Sequence, residues 1–222
     1  NVLDVEPARE MVREVFIDHI VKAKGLERSA EFVGSVVMPT PMAVLQMTEL
    51  LSVGTEHETG LGDILVVDIG GATTDVHSTG TGEPVATSVP TVGLDEPFAK
   101  RTVEGDLGLR VSVKTLLEKA HEYTVPVEIT DVLESNESWL RAEFLSSNIS
   151  VLPQASAEWD MDSALAGAAS YIAVERHSGH LKMASTDIGF TLVQFGKDLT
   201  ETKGVIGTGG VFAFGRNSQT VL

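Results

Sequence analysis

The segment ILVVDIGGATTDVHST at 64–79 limits the possible folds more than any other part of the chain. A run of apolar residues leads into Asp68, a glycine pair and an alanine follow, and a second stretch returns through Asp75. This pattern is typical of a buried strand, a tight turn and a strand antiparallel to the first. A turn centred on Gly71 and Ala72 would place Asp68 and Asp75 opposite each other on neighbouring strands.

Two facing carboxylates are costly to bury unless a cation or hydrogen-bond donors lie between them. Hydrated Mg²⁺ suits such a position, because it keeps several waters and accepts one or two carboxylates. Backbone N–H groups of a glycine turn and threonine hydroxyls can bind phosphate, and here these groups belong to Gly70, Gly71, Ala72, Thr73 and Thr74. The combination predicts phosphoryl-transfer chemistry, with an aspartate that orients the attacking water. A plain hairpin with solvated aspartates is the alternative.

A second glycine cluster, GVIGTGG at 204–210, follows a short apolar stretch and precedes a helical pattern. The sequence has no G-x-x-x-x-G-K-[ST] motif, and Phe212 stands where a dinucleotide-binding fingerprint would have its last glycine. Glycines at a strand-to-helix turn let a flat ring or a ribose lie against the backbone. The same glycines could simply allow close packing between strand and helix.

The rest of the chain mixes helical and strand patterns, which predicts an α/β fold with a mixed sheet flanked by helices. Helices are predicted over 6–24, 42–52 and 163–177, and strands over 32–37, 84–93 and 188–195. Residues 108–150 read as a mostly helical insertion, so that 1–107 and 151–222 would form one domain. A start without methionine and a hydrophobic pattern that resumes at the end predict a fragment of a longer protein.

Charge and composition narrow the classes of function. The formal net charge of −16 disfavours partners with phosphate backbones or anionic lipid surfaces, so neither nucleic acid nor a membrane is expected. The chain has no cysteine, which excludes disulfides, thiol chemistry and cysteine-ligated zinc. No apolar run approaches the roughly 20 residues of a membrane span, and a cytoplasmic protein is expected.

Together the two glycine motifs resemble the actin-like ATPase superfamily, a ribonuclease H-like fold that includes DnaK-type chaperones and sugar kinases. ILVVDIGGATTDV is similar to its second phosphate loop, GVIGTGGVF to its adenosine loop, and PMAVLQMTELL lies where its interdomain helix would be. The superfamily's first phosphate loop is not among these residues. The resemblance therefore implies half of a nucleotide cleft, and this chain by itself is expected to be inactive as an ATPase.

A closer resemblance is to the MutL family associated with adenosylcobalamin-dependent glutamate mutase. It rests on IGGATTDVHS, EPFAKRTVEGDLGLR, VERHSGH, FGKDLTE and VIGTGGVFAFGR, and extends from about residue 36 to 216. It implies a chaperone-like reactivating factor that binds ATP or ADP with Mg²⁺ and helps the mutase subunits release damaged cobalamin.

The resemblance also assigns roles to residues. Asp68 would hold the magnesium shell, Asp75 would orient water or metal as the catalytic residue, and the loop from Gly70 to Thr74 would bind phosphate. The adenosine would be flanked by Gly207, Gly209 and Gly210. The other functions considered are a filament-forming or scaffold actin homologue, a small-molecule kinase and a module that binds nucleotide without turnover.

Several further polar residues have structural interpretations. Asp106 in TVEGDLG is interpreted as a helix cap, with Glu104 beside it. Lys100 and Arg101 could meet phosphate, although pairing with surface carboxylates is favoured. His177 is interpreted as a cationic residue in the last turn of a helix closed by Gly179.

Overall fold

The structure is a computed structural model that describes residues 7, 11, 12, 15, 38–84, 86, 88–186, 189–216, 221 and 222. The helix predicted over 6–24 lies mostly outside these residues, and the strand predicted over 32–37 lies wholly outside them. The chain divides into two compact units, residues 1–46 and 47–222. The site described below lies within the second unit.

Helices and strands are mixed along the described residues. The helices are α1 (Thr40–Val53), α2 (Val113–Glu122), α3 (Val127–Leu133), α4 (Asn136–Ser147), α5 (Ser156–His177) and α6 (Gly210–Phe214). The strands are β1 (Ile64–Ile69), β2 (Thr74–Ser78), β3 (Thr91–Val92), β4 (Lys100–Glu104), β5 (His180–Thr186), β6 (Gly189–Phe195) and β7 (Gly204–Thr208). The predicted α/β class with mixed sheets is confirmed.

A four-stranded sheet with the order β4-β2-β1-β7 carries both glycine motifs. β2 is antiparallel to β1 and to β4, whereas β7 is parallel to β1. β1 is central and begins with four apolar residues, ILVV, all of them buried. A near-continuous apolar run is what a strand needs when both of its faces are covered. The sheet thus places the end of β1 between the hairpin turn and the end of β7.

One face of this sheet packs against α5, a helix rich in alanine. Ala166, Ala168 and Ala169 are fully buried in α5, and their small side chains allow a close approach to β1 and β2. The residues predicted as a helical insertion, 108–150, do form helices, and Leu117 of α2 and Leu145 of α4 lie in the same core cluster as α5. These helices thus share their core with the sheet. The domain boundaries at 107 and 150 remain a prediction.

A second sheet has the order β3-β6-β5. The strand predicted over 188–195 is confirmed as β6 for its described part, whereas β5 was not anticipated. Of the strand predicted over 84–93, the described residues form only Thr91–Val92, and it pairs with β6 rather than with the hairpin. Within the part of the chain that the structure describes, none of the helices has both the length and the apolar character needed to cross a membrane.

Candidate functional site

The two aspartates of the hairpin face each other, as the sequence predicts. The antiparallel register of β1 and β2 pairs Asp68 with Asp75, and the parallel register of β1 and β7 pairs Asp68 with Thr208. Residues that pair directly across a ladder project from the same face of the sheet. Asp68 therefore lies between Asp75 and Thr208 at the end of β1.

Residues 109–112 donate hydrogen bonds to the carbonyls of the glycine turn. The Gly70 N–H closes the turn by donating to the Thr73 carbonyl at 2.9 Å. The next carbonyls all accept bonds from 109–112, namely Gly70 from Leu109 N (3.1 Å), Gly71 from Arg110 N and Val111 N (both 2.8 Å) and Ala72 from Ser112 Oγ (2.9 Å). The carbonyls of Gly70, Gly71 and Ala72 thus all accept hydrogen bonds from one neighbouring segment.

This arrangement directs the N–H groups of residues 71–73 the opposite way. In a planar trans peptide the N–H of each residue points away from the preceding carbonyl. These three N–H groups therefore point away from 109–112, whose residue Leu109 belongs to the core cluster. They donate no hydrogen bond to any residue that the structure describes. The available amides are therefore those of 71–73, one position later than the predicted set of 70–72.

The two threonines of the loop lie in different environments. The Thr73 hydroxyl donates to Asp75 Oδ2 at 3.2 Å and stays with the site. Thr74 is fully buried as the first residue of β2, and its hydroxyl donates to the Leu107 carbonyl at 2.7 Å. The structure therefore does not bring the Thr74 hydroxyl to the predicted phosphate site.

Asp75 forms an ion pair with Arg101 of β4. Arg101 Nε and Nη2 lie 2.7 and 2.5 Å from Asp75 Oδ1. The partner of Arg101 was expected to be a surface carboxylate. It is instead the site aspartate Asp75, whose side chain is 8% exposed. The residues of β4, KRTVE, alternate in burial but not in apolar character, so only the pairing of β4 with β2 reveals the contact.

Asp68 accepts no hydrogen bond from any described side chain. Burial and the facing charge of Asp75 raise the pKa of its carboxyl, and Arg101 opposes that shift. A carboxylate in this position is stabilised by a further cation. The donor set fits a magnesium ion that keeps most of its waters, with Asp68 as the carboxylate open to it and Asp75 already paired.

The second glycine cluster adjoins the same end of β1. Gly209 has φ of +102°, and a Cβ there would overlap the Ile69 carbonyl oxygen. A Cβ at Gly207 would overlap the ring of Phe212, which matches the close-packing alternative for this glycine. Among the residues that the structure describes, none has an atom within 4 Å of the position of a Cβ at Gly210, so open space lies beside it there. Of the three predicted adenosine-binding glycines, Gly210 borders free space within the described residues, whereas neighbouring atoms fill the space beside Gly207 and Gly209.

Three structural interpretations of polar residues are wrong. Asp106 does not cap a helix, because α2 begins at Val113 and both Asp106 oxygens accept bonds from Arg176. Glu104 accepts a bond from the same guanidinium at 2.7 Å. His177 is not a solvated cation, since it is fully buried and its surroundings lower its pKa to about 3. α5 does end at His177, as predicted, but Gly179 does not close it with a left-handed turn, because its φ is not positive and its N–H donates to the Lys197 carbonyl at 2.7 Å.

Comparison with known proteins gives one consistent assignment. A family model described as MutL protein matches residues 1–222. The whole chain is 44% identical over 222 residues to Protein MutL of Clostridium tetanomorphum and covers 48% of that protein. The chain thus spans about half the length of the curated relative that it matches. No solved structure matches the chain.

Proposed function

The chain belongs to the MutL family, and on that basis we propose that the full-length protein is an ATP-dependent, chaperone-like reactivating factor for an adenosylcobalamin-dependent mutase such as glutamate mutase. The family resemblance found in the sequence is confirmed. The actin-like ATPase fold, the nucleotide and the mutase partner belong to the proposal.

The observation that carries the proposal is the orientation of the amides of 71–73. The carbonyls of 70–72 accept hydrogen bonds from 109–112, and the N–H groups of 71–73 point away from that segment and have no described partner. Successive N–H groups that converge on one side form an anion-binding concavity. Beside this concavity lies a half-buried carboxylate that is available to a cation. A nucleoside triphosphate requires donors that bind its phosphates beside a carboxylate that holds its magnesium ion, and this arrangement could supply both.

The residues of this chain would divide the work among them. The amides of 71–73 bind phosphate oxygens, and Asp68 holds the hydrated magnesium ion that neutralises phosphate charge when nucleotide is bound. Thr208 pairs with Asp68 across the ladder, which brings the second glycine loop to the same nucleotide. The open space beside Gly210 can accept a flat ring. Asp75 orients a water once its carboxylate is accessible.

The proposed reactivation uses nucleotide as a conformational signal. In this mechanism Mg-ATP binds between this half-site and the remainder of the full-length protein, and closure around it changes the affinity for the mutase. The differential affinity between the two states would drive the release of damaged cobalamin. The overall charge of −16 is compatible with a protein partner and disfavours a polyanionic one.

The test uses the full-length protein with glutamate mutase that has been inactivated by cyanocobalamin. Corrin release is followed spectroscopically after addition of Mg-ATP, for the wild type, Asp68→Asn and the matched control Asp131→Asn on the exposed surface of α3. We expect ATP-dependent release by the wild type and the control, and loss of release in Asp68→Asn. ATP binding without corrin release would refute the reactivase proposal, and ATP-dependent light scattering would then indicate filament assembly.

A further inference from the structure

Arg101 extends along the sheet toward the glycine turn. In the register of β2 and β4 it lies opposite His77, whereas Asp75 lies opposite Val103. The guanidinium nevertheless contacts Asp75, so the side chain runs diagonally from its own pair to the next pair on the same face. Along β2 that direction leads from His77 to Asp75 and then to the turn. The positive charge of Arg101 is therefore placed at the entrance of the proposed phosphate site.

The two members of this ion pair differ in exposure. The side chain of Arg101 is 33% exposed and that of Asp75 is 8% exposed. An anion that approaches from solvent therefore meets the guanidinium before it meets the carboxylate. The pair has a buried acceptor and an accessible donor, which allows the donor to change partner.

Arg101 is also the cation that balances the facing carboxylates. Asp68 and Asp75 together contribute two negative charges, and the guanidinium neutralises one of them. Lys100, its neighbour on β4, is engaged with Glu96 at 3.0 Å and with the His177 carbonyl at 3.2 Å. Among the residues that the structure describes, Arg101 is thus the basic side chain in contact with a site aspartate.

We propose that Arg101 is a phosphate-exchange residue: it holds Asp75 when the site lacks a triphosphate and transfers to the terminal phosphate when one binds. The inference rests on the proposed nucleotide site and adds the residue that distinguishes a triphosphate from a diphosphate. A guanidinium binds carboxylate and phosphate with the same planar fork of N–H donors, so the exchange keeps its hydrogen bonds. The exchange also frees Asp75, which can then accept a hydrogen bond from water.

This exchange makes Asp75 a competitor of the terminal phosphate for one guanidinium. Removal of Arg101 should weaken the binding of ATP more than that of ADP, because only the triphosphate gains the contact. Neutralisation of Asp75 should have the opposite effect and strengthen ATP binding, because Arg101 is then free before the nucleotide arrives. A simple metal-ligand role for Asp75 predicts instead that this second variant weakens ATP binding in Mg²⁺ and leaves it unchanged in EDTA.

The experiment measures the dissociation constants of ATP and ADP for the full-length protein by titration calorimetry, in EDTA and again in Mg²⁺. Arg101→Gln should lower the ratio of ATP to ADP affinity about tenfold or more, and Arg101→Lys should recover part of it, since lysine keeps the charge without the fork. Asp75→Asn should raise the ATP affinity in EDTA by about threefold or more. The control Arg141→Gln removes a guanidinium that pairs with Glu158 of α5 instead of a site aspartate, and should leave the ratio unchanged.

Loss of Arg101 leaves a buried carboxylate unpaired and could lower stability, so the double variant Arg101→Gln/Asp75→Asn completes the set. It should keep the fold, as judged by its thermal midpoint, and still lack the preference for ATP. If Arg101→Gln keeps the wild-type ratio, or if Asp75→Asn does not strengthen ATP binding in EDTA, the exchange is refuted while the nucleotide site stands. If the wild type binds neither nucleotide, the proposed function itself is refuted.

Discussion

His177 Nε2 lies 2.8 Å from Ser78 Oγ, so the last residue of α5 is hydrogen-bonded to the last residue of β2. The other ring nitrogen, Nδ1, lies 2.8 Å from the Thr102 hydroxyl on β4. Both ring nitrogens of a fully buried histidine are thus satisfied by hydroxyls, which suits the neutral imidazole. The contact ties the long helix to the two strands that carry Asp75 and Arg101.

The neutral state of His177 predicts a loss of stability in mild acid. Burial lowers the pKa of His177 to about 3, and the charges of Lys100, Lys197 and His77 add to this effect. The unfolded chain binds the proton at a pH of about 6.5, whereas the folded chain resists it until about 3. This contribution to stability is complete above the unfolded pKa and is lost as the pH falls below it, by roughly 1 kcal/mol per pH unit. Urea denaturation at pH 7.5 and pH 5 measures the loss.

The variant His177→Gln isolates this effect. Glutamine does not titrate, so the difference in unfolding free energy between pH 7.5 and pH 5 should shrink relative to the wild type. At pH 7.5 the variant should be less stable by about 1–3 kcal/mol, because a hydroxyl partner is left without its bond. His180→Gln, three residues past the end of α5, is the control. An unchanged pH dependence in His177→Gln would contradict a neutral, buried His177.

A second prediction concerns the fully buried lysine, Lys197. Its Nζ donates to the carbonyls of Phe98 (2.6 Å), Pro97 (3.0 Å) and Ser78 (3.4 Å), and burial lowers its pKa to about 8. Lys197→Met should destabilise the protein by about 2 kcal/mol, since buried carbonyls lose their donor. Lys203→Met, at a side chain that is 61% exposed, should change stability by less than about 0.5 kcal/mol. Equal thermal midpoints for the two variants would contradict the role of Lys197.

The facing aspartates could be predicted from the sequence because their geometry is local. A two-strand pattern around a short glycine turn fixes the register, and the register fixes which side chains share a face. The hydrogen bonds between the turn and 109–112 could not be predicted, since they join segments that lie about 40 residues apart in the sequence. The sequence alone also could not show that the Gly70 N–H donates within the turn, or that the Thr74 hydroxyl donates to the Leu107 carbonyl.

Short elements were missed for a different reason. β4 alternates between half-buried and exposed residues and contains two basic side chains, so its pattern resembles that of a surface loop. The sequence VEITDVL of α3 is rich in β-branched residues, which favours a strand, yet packing against α5 makes it helical. Tertiary contacts override intrinsic propensity in both segments. Because Arg101 lies on such an element, the sequence could indicate it as a phosphate ligand but could not indicate its contact with Asp75.

The third prediction separates packing from binding in the second glycine loop. Gly209→Ala should destabilise the protein by about 2 kcal/mol or more, because alanine disfavours the positive φ and its Cβ would overlap the Ile69 carbonyl. Gly210→Ala should leave the thermal midpoint nearly unchanged, since no atom of the described part of the chain lies within 4 Å of the added methyl group. In the full-length protein Gly210→Ala should still weaken ATP binding severalfold, because the methyl group occupies the open space proposed for the ring. Unaltered ATP affinity in Gly210→Ala would place the nucleotide ring elsewhere.

The fourth prediction is that Asp68→Asn stabilises the protein while it removes magnesium-dependent nucleotide binding. Burial and the facing Asp75 raise the pKa of Asp68, which means that the folded chain carries its charge at a cost. Because the folded pKa is raised, the cost is absent at a pH below the unfolded pKa, where both states are protonated, and grows as the pH rises through the folded pKa. The thermal midpoint of Asp68→Asn should therefore exceed that of the wild type at pH 7, and the difference should vanish near pH 3.

Binding should change in the opposite direction. A neutral amide is a poor ligand for Mg²⁺, so the affinity of Asp68→Asn for Mg-ATP should fall at least about tenfold, whereas the affinity for ATP in EDTA should not fall. Asp131→Asn, at an exposed position of α3, should alter neither quantity. Replacement of a residue that supports the fold lowers the stability of the protein, whereas replacement of a residue that serves a ligand lowers only the affinity for that ligand. A lower thermal midpoint together with unchanged Mg-ATP affinity would therefore assign Asp68 to the fold and remove the magnesium site from the hairpin.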